Sequence, residues 1–280
     1  MLNQKQINEL KKMATKIRMH VVEETYHASS GHPGGALSIT DVLTVLFFNE
    51  MNVDVNNSKW ENRDRFVLSK GHSAPAYYGV LAEKGYFPKD ELTKLRSFDS
   101  FLQGHPDMNK INGVDMSTGS LGQGLSAANG MALMGKKKNF RVYCVLGDGE
   151  IEEGQVWEAA MTAAHYKLNN LIAFVDNNGL QIDGEITKIM NPQPISDKFA
   201  SFGWNVISID GNNIEQILEA LEEAKKDIDK PTVIICDTVK GKGVSYMENK
   251  VEWHGAAPNK ELRDRAIEEL EEQLNNLEVL

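Results

Sequence analysis

Cysteine is almost missing from this sequence: Cys144 and Cys236 are the only two in 280 residues. Each lies in an apolar run, Val142–Leu146 and Val233–Cys236, so both read as buried free thiols rather than as a disulfide or a metal site. Long apolar runs are missing too. The longest, near Val42–Phe48, is far too short to cross a bilayer. The opening residues, Met-Leu-Asn-Gln-Lys-Gln, hold no apolar signal region, so no membrane is expected and the chain reads as cytoplasmic. Positive charge is in deficit, with 30 basic residues against 40 acidic ones and a net charge of -10. Such a chain repels phosphate backbones, which argues against nucleic acid as a partner. Four of the acids, Glu268, Glu269, Glu271 and Glu272, read as the solvated face of a helix. No repeat, low-complexity linker or composition break divides the sequence, so a single domain over residues 1–280 is expected.

What is present is enough apolar material for a sizeable core, 41% of the residues. Ile7, Leu10, Ala14, Ile17 and Val21 recur at spacings of three and four and mark a first helix. It should end at Ser29-Ser30-Gly31, with Pro33 blocking continuation. A second helix should start near Ser38, with Asp41 as its capping-box partner, and its apolar content over Val42–Phe48 should be buried against the fold or another chain. Strands are expected at Phe66–Leu68, Arg141–Leu146, Leu171–Val175, Val206–Ile209 and Thr232–Cys236. Helices are expected at Leu121–Met134, Gln155–His165 and Ile214–Lys225, and from about Glu261 with Ile267, Leu270, Leu274 and Leu277 at helical spacing. Short, nearly continuous apolar strands alternating with helices predict an α/β fold: a doubly wound, mostly parallel sheet with helices on both faces.

In such sheets ligands bind beyond the carboxyl ends of the strands. Two loops there carry metal-binding chemistry. Gly147-Asp148-Gly149 follows the strand ending at Leu146, and Asp176-Asn177-Asn178-Gly179 follows the strand ending at Val175. A carboxylate, an amide oxygen and a backbone carbonyl make half an octahedron, which Mg²⁺ completes with phosphate oxygens and water. A helix starting near Gly154 should aim its N-terminus at the same place. Alone, Gly-Asp-Gly is an ordinary turn and Asn-Asn-Gly an ordinary loop. Their order, with the 27 residues 150 to 176 between them, resembles the thiamine-diphosphate motif.

The histidine segments narrow the resemblance. Ser30-Gly31-His32-Pro33-Gly34-Gly35, Lys70-Gly71-His72, Gly104-His105-Pro106, Thr118-Gly119-Ser120-Leu121-Gly122-Gln123-Gly124 and Trp253-His254-Gly255 resemble segments of transketolases, in the family's order. Many transketolases have Pro where Ser120 stands. The resemblance implies a thiamine-diphosphate-binding fold and a ketol transfer between a ketose phosphate and an aldose phosphate, as in pentose phosphate metabolism. It implies thiamine diphosphate and Mg²⁺, or Ca²⁺ or Mn²⁺ in its place, with Asp148, Asn178 and the carbonyl of Leu180 as metal ligands. His72 and Gly149 would contact the diphosphate, and Gly119, Ser120, Leu121, Gly147 and His254 would complete the cofactor site. His32 and His254 would handle protons on the donor's hydroxyl groups, and His105 would face the reacting carbons. Glu153 matches a family acid at the dimer interface. His20, His27 and His165 lie in helical patterns and read as structural.

The resemblance stops where fused transketolases continue into a pyrimidine-binding domain. It therefore implies an N-terminal subunit, inactive alone, that works with a C-terminal subunit carrying that domain, with two copies of each chain. The helix at Val42–Phe48 and the small-residue helix at Leu121–Met134 are the candidate contact surfaces. Three other readings stay open: a split transketolase for a modified sugar, the alpha subunit of a 2-oxo acid dehydrogenase, and a non-catalytic binding subunit of the same fold.

Overall fold

The computed structural model describes residues 2–278. In chain order its main elements are α1 (Gln4–Ala28), α2 (Pro33–Ser38), α3 (Thr40–Val45), β1 (Arg65–Leu68), α4 (Ala74–Lys84), α5 (Gly124–Lys138), β2 (Val142–Gly147), α6 (Gly154–His165) and β3 (Leu171–Asn177). There follow a small hairpin of β4 (Leu180–Gln181) and β5 (Gly184–Glu185), α7 (Ile186–Ile189), α8 (Ile195–Ser201), β6 (Asn205–Asp210), α9 (Ile214–Ala224), β7 (Thr232–Asp237) and α10 (Lys260–Glu278). The five longer strands form one parallel sheet in the order β1-β2-β3-β7-β6.

Side chains alternate across a strand. Tyr143, Val145, Ile172, Phe174, Ile234 and Cys236 therefore enter a core layer covered by α1, α3, α4, α9 and α10. Val142, Cys144, Leu146, Ala173, Val175 and Val233 enter the opposite layer under α5, α6 and α8. Burial on both faces is why the strands read as unbroken apolar runs. Each large apolar side chain sealed this way contributes about 1.5–3 kcal/mol. Both cysteines are buried and free, as expected. Among the described residues no helix is long and apolar enough to cross a membrane.

Four expectations about helices change. Pro33 does not merely stop α1. That helix ends on Ser29 in a left-handed conformation, and Pro33 opens α2 at its first turn, where a missing N–H costs nothing. Ser38 is not an N-cap: its hydroxyl donates to Gly35 O and to Asp176, while Asp41 pairs with Arg18. Residues 42–46 have no exposed surface and Phe47 almost none, so this stretch is the molecule's own core and offers nothing to another chain. The small-residue helix starts at Gly124 instead of Leu121, because Gly122 stands at φ +83°, outside any right-handed helix. Its Leu133 and Met134 remain exposed. Helix α4 was not anticipated. Residues 74–82 are all buried, so no polar face gives it a period to read.

Register sets the site. Gly147 stands opposite Asp176, which stands opposite Cys236, so β2, β3 and β7 end level with one another. The loops that follow them emerge side by side, next to the one that follows β1.

Candidate active site

A cavity of about 310 Å³ opens on that edge, lined by residues from all of these loops. Asp148, buried beyond β2, accepts backbone N–H bonds from Gly149 at 2.9 Å and Gly179 at 2.6 Å, which couples the two acidic loops. Burial and the neighbouring Asp176 push its carboxyl up to about 7. A divalent cation would remove that penalty. Asn178 and Leu180 line the same wall. The side-chain oxygen of Asn178 accepts the Leu180 N–H at 3.1 Å, and its amide donates to Asp176 at 3.1 Å. One carboxylate, one amide oxygen and one carbonyl are hard donors with positions left for phosphate and water, so these residues fit Mg²⁺.

Asp176 anchors this wall from beneath. It has no exposed surface and accepts from Lys70, Ser38, Thr238 and Asn178. Burial alone would raise its pKa, but the Lys70 ammonium and these hydrogen bonds overcome that and hold it below the usual carboxylate range.

Opposite lie the histidines. The rings of His32, His72 and His254 form a mutual cluster, with centroids 5.3 Å apart for His32 and His72, 5.6 Å for His32 and His254, and 5.3 Å for His72 and His254. Gly34 and Gly35 allow this crowding. A Cβ on Gly34 would sit 2.8 Å from Trp253 O, and one on Gly35 3.2 Å from the Ser73 hydroxyl. His105 packs on the backbone of Gly119, where a Cβ would lie 2.9 Å from its ring. Burial first, then nearby cations, lowers the whole set. His32 falls to about 4 through burial and Arg96, and His254 to about 3 through burial and Lys240. His72 and His105 also shift down. All four are neutral at pH 7.

Lys240, just beyond β7, donates to Leu180 O at 3.0 Å and contacts His254 Nδ1 at 2.8 Å. The Arg96 guanidinium lies 3.5 Å from His32 Nδ1. Gln181, which lines the cavity, has its Nε2 buried without a partner. Lys70, Lys240 and the unpaired Gln181 donor on the cavity wall suit an anionic guest, so the site fits a diphosphate as well as the metal.

Of the residues singled out in the sequence, His32, His72, His105, Gly119, Leu121, Gly147, Asp148, Gly149, Asn178, Leu180 and His254 all line the cavity. Ser120 and Glu153 are exposed and are not among its lining residues. Helix α6 stands one turn back, because a 3₁₀ turn over Glu150–Glu152 separates it from Gly149. Sequence reasoning missed Gly35, Lys70, Glu150, Gln181, Ile182 and Lys240. Lys240 was findable, since Val239-Lys240-Gly241 follows a strand's carboxyl end just as Gly147-Asp148-Gly149 does. His20 and His27 lie on α1, paired with Glu83 and Glu23, and His165 ends α6, as structural histidines do.

Known proteins resemble this chain over almost its full length. The family profile described as transketolase, thiamine diphosphate binding domain, matches residues 9–275. The chain is 46% identical over 267 residues to the 6-deoxy-6-sulfo-D-fructose transketolase subunit SqwG of Clostridium sp. (strain MSTE9), covering 95% of this chain and 97% of that one. It is 40% identical over 275 residues to one of the subunits of the apulose-4-phosphate transketolase of Phocaeicola vulgatus, covering 98% of each. The crystal structure of transketolase from Campylobacter jejuni superposes with a TM-score of 0.89 at 34% identity, over 98% of this chain and 43% of that one. The chain thus spans less than half of that protein.

Proposed function

This chain belongs to the transketolase family, and on that premise we propose that it is the diphosphate-binding subunit of a two-chain transketolase. It moves a two-carbon ketol unit from a ketose to an aldose with thiamine diphosphate and Mg²⁺. The observation that carries the reading is the convergence of His32, His72, His105 and His254 with Asp148, Asn178 and the Leu180 carbonyl on one cavity. A 2-oxo acid dehydrogenase subunit has no use for four such histidines, and a non-catalytic subunit has no use for an intact metal wall.

In this reading Asp148, Asn178 and Leu180 O hold the metal, and His72, Gly149 and Lys240 grip the diphosphate. When bound, thiamine diphosphate supplies the carbon centre that carries the ketol unit. The chain's own residues supply proton handling. His32 and His254, neutral and mutually packed, handle the protons of the donor's hydroxyl groups, His254 from its Nε2–H side, and His105 serves the reacting carbons. Loss of either His32 or His105 lowers turnover by on the order of 10²-fold.

Two relatives, each matched over almost its whole length, are named as subunits. That supports a separate catalytic partner; that it carries the pyrimidine-binding domain, in an assembly with two copies of each chain, is part of the proposal. The same names, 6-deoxy-6-sulfo-D-fructose and apulose-4-phosphate, favour a ketose with an anionic end, phosphate or sulfonate, over a neutral sugar. The test is to assay ketose cleavage on fructose 6-phosphate and on 6-deoxy-6-sulfo-D-fructose, first with this chain alone and then with its candidate partner titrated in. Activity should be absent at first and saturate near equal stoichiometry. Full turnover from the isolated chain overturns the reading.

A further inference from the structure

Residues 119–122 supply part of the cavity wall through Gly119 and Leu121 yet belong to no helix or strand. Apart from a local bond from the Gln123 N–H to Ser120 O at 3.4 Å, the stretch is tied to the fold by the Gly122 N–H, which donates to Glu150 Oε1 at 2.9 Å. The same carboxylate accepts the Ser69 hydroxyl on Oε1 and the Gly147 N–H on Oε2 at 3.0 Å. Glu150 is 2% exposed, so these bonds face no competition from water. Its partners come from three places: Ser69 follows β1, Gly147 ends β2, and Gly122 closes the irregular stretch. Steric contacts reinforce the register. A Cβ on Gly122 would lie 2.7 Å from Glu153 Cβ, and one on Gly124 would meet Ser69 Oγ at 2.3 Å.

We propose that Glu150 is a positioning residue that fixes the 119–122 stretch against the Gly147–Gly149 turn, so that the two sides of the cofactor cradle face each other at a set distance. The chemistry requires a carboxylate. Two backbone N–H donors and a hydroxyl converge on it, and only a group whose oxygens both accept serves them all. An amide of the same size turns one of those oxygens into a donor aimed at another donor. The proposal rests on the reading of this cavity as a diphosphate site, but the order of the loop can be measured without any cofactor.

The test is Glu150→Gln in the full chain with its partner, read in two ways. In the unloaded protein, hydrogen exchange should rise at least about tenfold in peptides covering residues 118–123 and stay unchanged in β2 and β3. Calorimetric titration of thiamine diphosphate with Mg²⁺ should show Kd raised about 10- to 100-fold, the range typical of losing a group that orients ligands without touching them. Unchanged exchange at 118–123 overturns the proposal, as does Kd within twofold of wild type. If wild type itself binds no thiamine diphosphate, the functional reading fails and the exchange result alone decides the role of Glu150. If Glu150→Gln does not fold, Gly122→Ala displaces the same stretch from its other side, and an unchanged Kd in that variant overturns the proposal.

Discussion

Lys240 Nζ lies 2.8 Å from His254 Nδ1 and 3.0 Å from the carbonyl oxygen of Leu180. An ammonium can only donate, so Nδ1 must offer its lone pair and the imidazole proton sits on Nε2. One lysine thus fixes the tautomer of a channel histidine and touches an expected metal ligand. Burial, and then this charge, account for the fall of the His254 pKa to about 3. In Lys240→Met the pKa of His254 should rise toward, but not reach, its ordinary value, because burial remains. Histidine NMR titration reads this directly. An unmoved His254 would show that the lysine charge has no hold on it.

Asp176 and Lys70 form a buried pair beneath the metal wall. Breaking such a pair leaves a buried charge uncompensated, which costs about 3–5 kcal/mol. Asp176→Asn should lose that much in urea denaturation, and adding Lys70→Met should restore part of it. A loss below about 1 kcal/mol for the single variant would mean that the pair contributes little to stability.

Gly119 stands at φ +137°, and a side chain there would press on the His105 ring at 2.9 Å. Gly119→Ala should therefore displace His105 and lower turnover by about 10- to 100-fold, with the melting temperature of the sheet core little changed. The magnitude follows from misplacing an acid–base group. Wild-type turnover in this variant would separate His105 from the reaction.

Stability should depend on pH through the histidine cluster. The pKa values of His32 and His254, about 4 and about 3, lie below the ordinary unfolded value of about 6.5. The unfolded chain then binds more protons through this window, so their contribution is fully present above pH 6.5 and is lost as pH falls toward 4 and 3. Asp148 works in the opposite sense, since its folded pKa is raised to about 7 and its contribution fades as pH rises. The difference between wild type and a His32→Gln/His254→Gln variant isolates the histidine part. Between pH 6.5 and 4 the variant's denaturation free energy should fall less steeply. Parallel curves would contradict the assignment.

The strands β1, β2, β3 and β7 were legible because each is an apolar run closed by a loop signal, β6 is broken by exposed Ser208, and the parallel pairing follows from the helices between the strands. The two acidic loops and the four loop histidines were legible because short fixed motifs carry them. Helix α4 was not, since burial on every side erases its period. Glu150 was not, because a charged residue beside a glycine reads as surface, and Lys240 was overlooked although its place after a strand's carboxyl end gave a signal. Only the fold shows that Glu150 is sealed under three loops and that Lys240 points inward. Ser120 and Glu153 illustrate the converse: sitting inside a recognisable motif does not place a side chain in the cavity.

The central claim is that the wall formed by Asp148, Asn178 and Leu180 holds a divalent metal together with a diphosphate. The most direct measurement is calorimetric titration of thiamine diphosphate, with and without Mg²⁺, into the chain and its partner, in wild type and in Asp148→Ala. A hard cation has no substitute for a buried carboxylate ligand. Wild type should bind the cofactor in a Mg²⁺-dependent manner, and Asp148→Ala should lose that dependence while keeping its circular dichroism spectrum. Equal, Mg²⁺-dependent affinity in the two proteins would contradict the claim.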